Sequence, residues 1–249
     1  MNWKKMIGVM VLALSLILAN GYNCYAGESI NDLLLDARLI TLNLDNKADQ
    51  VEVTGSNVKY TFDDWNATIF AFVENDVLKL VCNEKNICNI IEINQQGQLY
   101  LDGTYVTTMT ENVPQNNNAR MLTGWQYRET PSYGKANEYT VYYTTTSCRD
   151  IKLQQNLADI SIAALAVVLT SYYPAAASIT SLATTIKTAF VDSYTTSLSC
   201  KTVIKYHKDS ASGWKNGMYC EKHSVTWYEN KDFSGRKTYS THYESRTMV

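Results

Sequence analysis

Proline is scarce in this chain: three in 249 residues, none within the strand-like stretches. Few prolines together with frequent Thr, Tyr, Asn and Val point to a strand-rich globular protein rather than a disordered one. Several motifs are missing. There is no dinucleotide glycine fingerprint, no phosphate-binding P-loop, no GxSxG and no HExxH, so the sequence offers no signature of a nucleotide-binding enzyme, an α/β-hydrolase or a zincin. There is no CxxC, and no Cys/His spacing of the zinc-finger kind. Histidine is reduced to three residues, His207, His223 and His242. Charge is missing altogether from one long stretch, Ile160 to Ile186, which holds no Asp, Glu, Lys, Arg or His.

What is present begins with a targeting segment. Lys4 and Lys5 precede the apolar run IGVMVLALSLILA, and Cys24-Tyr25-Ala26 puts small residues at the −3 and −1 positions of a signal-peptidase site. Residues 1–26 therefore read as a signal peptide, with a secreted mature chain from Gly27. A lipoprotein acylated at Cys24 is the rival, although Gly-Tyr-Asn before it matches the usual lipobox poorly. Export permits disulfides. Cys82 and Cys88 flank NEKNI, a length that suits a hairpin loop, and are expected to pair with each other. Cys148, Cys200 and Cys220 remain, with Cys148–Cys200 as a clasp at the base of the uncharged stretch and Cys200–Cys220 as the alternative.

Charge divides the chain. Residues 27–119 carry 14 acidic and 5 basic side chains, and residues 120–249 carry 10 acidic and 15 basic ones. Pro114 followed by Gln and three Asn marks a linker where the sign changes. The expected fold class is α+β. An acidic antiparallel β domain spans 27–112, and a linker follows at 113–120. A basic Tyr-rich domain spans 121–249, with an antiparallel sheet carrying an inserted apolar αα-hairpin at 150–192. The N-terminal domain follows from period-two alternation punctuated by turns at Gly55, Asn75-Asp76, Gly97 and Asp102-Gly103. The C-terminal sheet follows from alternating runs near 138–146, 200–208, 217–229 and 235–244.

In the hairpin, Ile160, Ala164 and Val168 would line the first helix, and Ile179, Leu182 and Ile186 the second. Pro174 opens the second helix at the corner. Pro174 splits the uncharged run into 14 and 13 residues, each shorter than the ~20 needed to span a bilayer. The hairpin is then core of the second domain or a membrane-inserting pair held soluble by the sheet.

The three histidines fall one on each C-terminal strand. They read as ordinary surface strand residues rather than metal ligands, so no metal, cofactor or catalytic residue is expected. Thirteen of the eighteen tyrosines follow residue 120, and Tyr favours sites with one apolar and one wet end. The segment TGWQYRETPSYGKANEYTVY (123–142), the Ala-rich apolar stretch and the Tyr-rich strand tail resemble the large secreted bacteriocin family of geobacillin 26. The resemblance covers residues 121–249. It implies an antibacterial protein without catalytic residues, and does not extend to the acidic domain. The functional expectation is a secreted, non-enzymatic antibacterial protein acting through the hairpin on a bacterial membrane or cell envelope, not on nucleic acid. The alternative is a surface, glycan- or protein-binding module whose hairpin is ordinary core.

Overall fold

A computed structural model describes residues 48–55, 57–109, 126–173, 181–209, 214–215 and 217–247. The signal peptide, the segment 27–47 and the linker at 113–120 lie outside the described residues. Seven strands run in sequence order as one antiparallel meander: β1 (Gln50–Thr54), β2 (Asn57–Phe62), β3 (Ala67–Glu74), β4 (Val77–Glu84), β5 (Ile87–Ile93), β6 (Gln98–Leu101) and β7 (Thr104–Thr108). Asn75 and Asp76 both take positive φ, 51° and 61°, between the paired Glu74 and Val77. This is the geometry that matches the twist of a tight hairpin. Alternation then decides the faces: Ile69, Ala71, Leu80, Ile91, Leu99 and Leu101 turn into the core.

The second sheet is also antiparallel, in the order β8 (Gln126–Arg128), β13 (Lys237–Thr247), β12 (Met218–Tyr228), β10 (Ser197–His207), β9 (Tyr139–Lys152). The two-residue β11 (Trp214–Lys215) sits beside β12. Between β9 and β10 come two short helices, α1 (Ile162–Tyr172) and α2 (Ser181–Ala189). The protein is therefore mostly β with two short helices and two antiparallel sheets. The α+β expectation with an inserted αα-hairpin is corrected accordingly. Its helical reading began at Asp150, but β9 continues to Lys152 because that end pairs with Ser197 of β10. Ile151, Leu153 and Leu157 are buried from a strand and a turn, not from a helix face. Pro174 and Ile179 lie outside the described residues.

The helices form a layer between the sheets. Helix α1 packs on β4, β5 and β7, and α2 packs on α1 and β13. One continuous apolar core runs from Ile69 and Leu80 through Leu165 and Val168 to Trp227. That placement explains why α1 is apolar on every side: it has a covered surface all round. The Ser161 hydroxyl caps it, accepting from Ala164 N at 3.2 Å. The first sheet supplies further partners. Glu84 Oε2 accepts from Ile162 N at 2.6 Å and Asn89 Oδ1 from Ser161 N at 2.8 Å, so a carboxylate meets the positive end of the helix dipole. Lys187 of α2 donates to the carbonyls of Leu157, Ala158 and Ile160 at 2.6, 2.8 and 2.5 Å. Burial lowers its pKa from the ordinary lysine value.

All five described cysteines are free thiols, which overturns the expected disulfides. For Cys82 and Cys88 the reason is register. Strands β4 and β5 continue to the pair Glu84/Ile87, placing Cys82 opposite Asn89 and Cys88 opposite Asn83. A one-residue offset puts the two thiols on opposite faces, Cys82 in the core and Cys88 in solvent. Cys148 and Cys200 do face each other across β9 and β10 but remain unlinked. The Cys200 thiol hydrogen-bonds Cys148 and lowers the pKa of the latter. Alkylation of the native protein followed by mass mapping is expected to label Cys88 rapidly and Cys82 only after unfolding. A recovered Cys82–Cys88 cross-linked peptide would show the register to be wrong.

Candidate functional site

The inner face of the second sheet changes character along its length. Near the helices it is apolar, with Cys200 opposite Trp227. Further along β12 and β13 it becomes a square of titratable groups. His223 pairs with His242, and two residues on, Glu221 pairs with Glu244. Because side chains two apart share a face, the sequences Glu221-Lys222-His223 and Tyr-flanked His242-Tyr243-Glu244 bring four such side chains together when read antiparallel. Glu221, His223 and His242 are buried, and the Glu244 side chain is 15% exposed.

The contacts within the square are short. His242 Nε2 lies 2.9 Å from Glu244 Oε1, and His223 Nδ1 lies 3.4 Å from the same oxygen. The other ring nitrogen of His223, Nε2, meets Glu221 Oε2 at 2.8 Å. The imidazole centroids are 4.7 Å apart. Tyr173, just past the end of α1, brings its hydroxyl to 3.3 Å from His242 Nε2 and sets its ring edge-on to both His242 and Trp227. Tyr219 donates to Glu221 and is bonded to Tyr206 at 2.9 Å. Arg246 stacks over the Tyr219 ring, its Cζ 5.0 Å from the centroid.

Burial governs the protonation of the groups. It lowers the pKa of His242 against the pull of Glu244, so the ring is held neutral. Burial, with Glu244 adding to it, pushes Tyr127 up to about 12. Burial also pushes Tyr173 and Tyr219 well above the ordinary phenol value. His223, His242 and Glu244 each offer a ligand atom, and these atoms all lie within 4.8 Å of one another.

No family model, curated protein or solved structure matches this chain. Nothing in the fold or in these comparisons supports secretion, a bacteriocin identity or antimicrobial action. Among the described residues, no helix is long and apolar enough to cross a membrane. The helical-hairpin description is corrected by the fold, in which β9 runs to Lys152 and two short helices sit in a mostly β protein.

The sequence-designated residues are distributed as follows. Ile160 precedes α1, Ala164 and Val168 lie on it, and Leu182 and Ile186 lie on α2; all five are buried in the continuous core. The histidines read as surface strand residues are all buried. His207 is separate from the other two. Its Nε2 is 3.4 Å from Glu138 Oε2 and its ring meets the edges of Tyr133 and Tyr139. The Tyr-rich C-terminal sheet is not an open aromatic face either, since Tyr206, Tyr219, Tyr243 and Trp227 are buried. The antiparallel match of Glu-x-His with His-x-Glu was the available signal for the square, and it needs the strand register to be read.

A second feature lies on the opposite side of the molecule. The outer face of the first sheet carries a cross-strand row, Glu52, Lys59, Phe70, Val81 and Ile90. Phe70 and Ile90 are each 41% exposed. A shallow groove of about 610 Å³ opens over Phe70, Phe72 and Val81, edged by Glu52, Lys59 and Asn83.

Proposed function

We propose that this chain is a non-enzymatic binding module. Its two helices are ordinary core, and the open face of its first sheet docks a protein partner with an apolar and basic surface. The row of Phe70, Val81 and Ile90 carries the reading. Apolar side chains on a solvent face gain by being covered, and here they stand side by side across β3, β4 and β5, with Phe70 and Val81 lining a groove. The basic character of the partner follows from charge. Residues 48–109 contain nine acidic and three basic side chains, so complementarity favours a cationic partner. The acting-at-membranes alternative would require α1 to leave the core. Its 11 residues extend about 16 Å against a hydrocarbon thickness of about 30 Å.

A photo-crosslinking residue placed at position 81 in the full chain, in producing cells, is expected to give one discrete protein adduct. The same probe at the exposed Tyr239 of the second sheet should give none. Phe70→Ser with Ile90→Ser should remove the adduct while changing stability by only about 0.5 kcal/mol. Absence of any adduct at position 81, or persistence of the adduct in the double variant, would count against the docking face. Release of dye from anionic vesicles by the full chain would favour the membrane alternative.

A further inference from the structure

We infer that His223, His242 and Glu244 hold a divalent transition-metal ion of the zinc class, with Glu221 orienting His223 from behind. The inference is independent of the docking face and rests on two observations.

The first is electrostatic. Glu221 and Glu244 stand directly opposite each other on a covered face, and like charges in that relation are destabilising. A cation held between the Glu244 carboxylate and the two imidazole rings relieves the repulsion. The second is geometric. Zinc–ligand bonds of about 2.0–2.2 Å in a tetrahedron put ligand atoms about 3.3 Å apart. His223 Nδ1 and His242 Nε2 stand at 3.4 and 2.9 Å from Glu244 Oε1. The far nitrogen of His223 is already on the Glu221 carboxylate at 2.8 Å. That is the outer support that fixes the tautomer of a metal-bound histidine.

The donor set selects the ion. Two imidazole nitrogens and one carboxylate suit zinc and its neighbours, whereas calcium and magnesium demand oxygen ligands throughout. The Tyr173 hydroxyl, 3.3 Å from His242 Nε2, covers the site from the helix layer. The ligands are buried or nearly so, and the ion joins β12 to β13.

Full-length chain stripped with chelator and titrated with zinc chloride is expected to bind one ion per chain. Cobalt in its place should give the visible bands of a four-coordinate complex. Glu244→Gln should weaken zinc binding more than 100-fold, and Glu221→Gln, which removes only the outer support, by about 10- to 100-fold. His207→Gln, outside the square, should bind as the unmodified chain does. Because the chain has only three histidines, the unsubstituted protein supplies a readout that no folding defect can obscure. Zinc should shift the imidazole resonances of His223 and His242 and leave those of His207 in place. The proposal is overturned if the folded chain takes up neither zinc nor cobalt, as a purely hydrogen-bonded core network would. It is equally overturned if Glu244→Gln binds undiminished or if the shifted resonances are those of His207.

Discussion

Asn89→Ala is expected to destabilise the protein by about 3–4 kcal/mol. Asn89 is a polar residue on the inner face of β5 and joins three segments. Its Oδ1 accepts from Ser161 N at 2.8 Å. Its Nδ2 donates to Asp159 O at 3.3 Å and to Asp102 Oδ2 at 2.9 Å. Alanine removes all of these: the amide of the buried Ser161 is left without that partner, at about 1–3 kcal/mol, and the hydrogen bond to the Asp102 carboxylate, worth about 1.5–3 kcal/mol, is lost. Asn83 is the control, one strand over and on the solvent face; Asn83→Ala should stay within about 0.5 kcal/mol. Urea denaturation with an unchanged slope is the measurement. A loss below about 1 kcal/mol for Asn89→Ala would mean that the first sheet does not anchor the helix.

Ala164→Asp is expected to abolish stable folding. Ala164 is 0% exposed in the middle layer, between Leu165 and Val168 of α1 and the residues of the first sheet. An ionised carboxylate there has no cationic partner, and the effective penalty is several kcal/mol. That approaches the whole stability of an ordinary domain, about 5–15 kcal/mol. Thr188→Asp on the exposed side of α2 carries the same charge change and should cost about 0.5 kcal/mol or less. Circular dichroism melts of the two variants separate the outcomes. An Ala164→Asp protein that melts like the unsubstituted chain would show α1 to be peripheral, and would reopen the question of whether it can leave the core.

Local features of this protein are legible from residue order. The Asn75-Asp76 turn, the alternation of β3 and β4, and the uncharged run that becomes buried helix all depend on neighbours within a few positions. The failures lie where distant segments meet. Cys82 and Cys88 look like a loop disulfide until the register shows them on opposite faces. The helical reading from Asp150 failed because β10, more than forty residues on, claims that end of β9 through the Lys152–Ser197 pair. The Tyr-rich tail looks like an exposed aromatic sheet, yet Tyr206, Tyr219, Tyr243 and Trp227 are packed inward, while the exposed apolar row belongs to the acidic half.

Sequence by itself determined that the chain is rich in antiparallel strands, that its uncharged middle avoids water, and that no familiar catalytic motif is present. These follow from periodicity, turn chemistry and the cost of desolvating charge, all of which act locally. The tertiary structure alone decided that two sheets share one core through α1, and that His223 meets His242 beside Glu221 and Glu244. Nineteen positions separate the two histidines, and only the register of β12 on β13 turns that separation into a contact. A slip of one residue would send one of them to the other face.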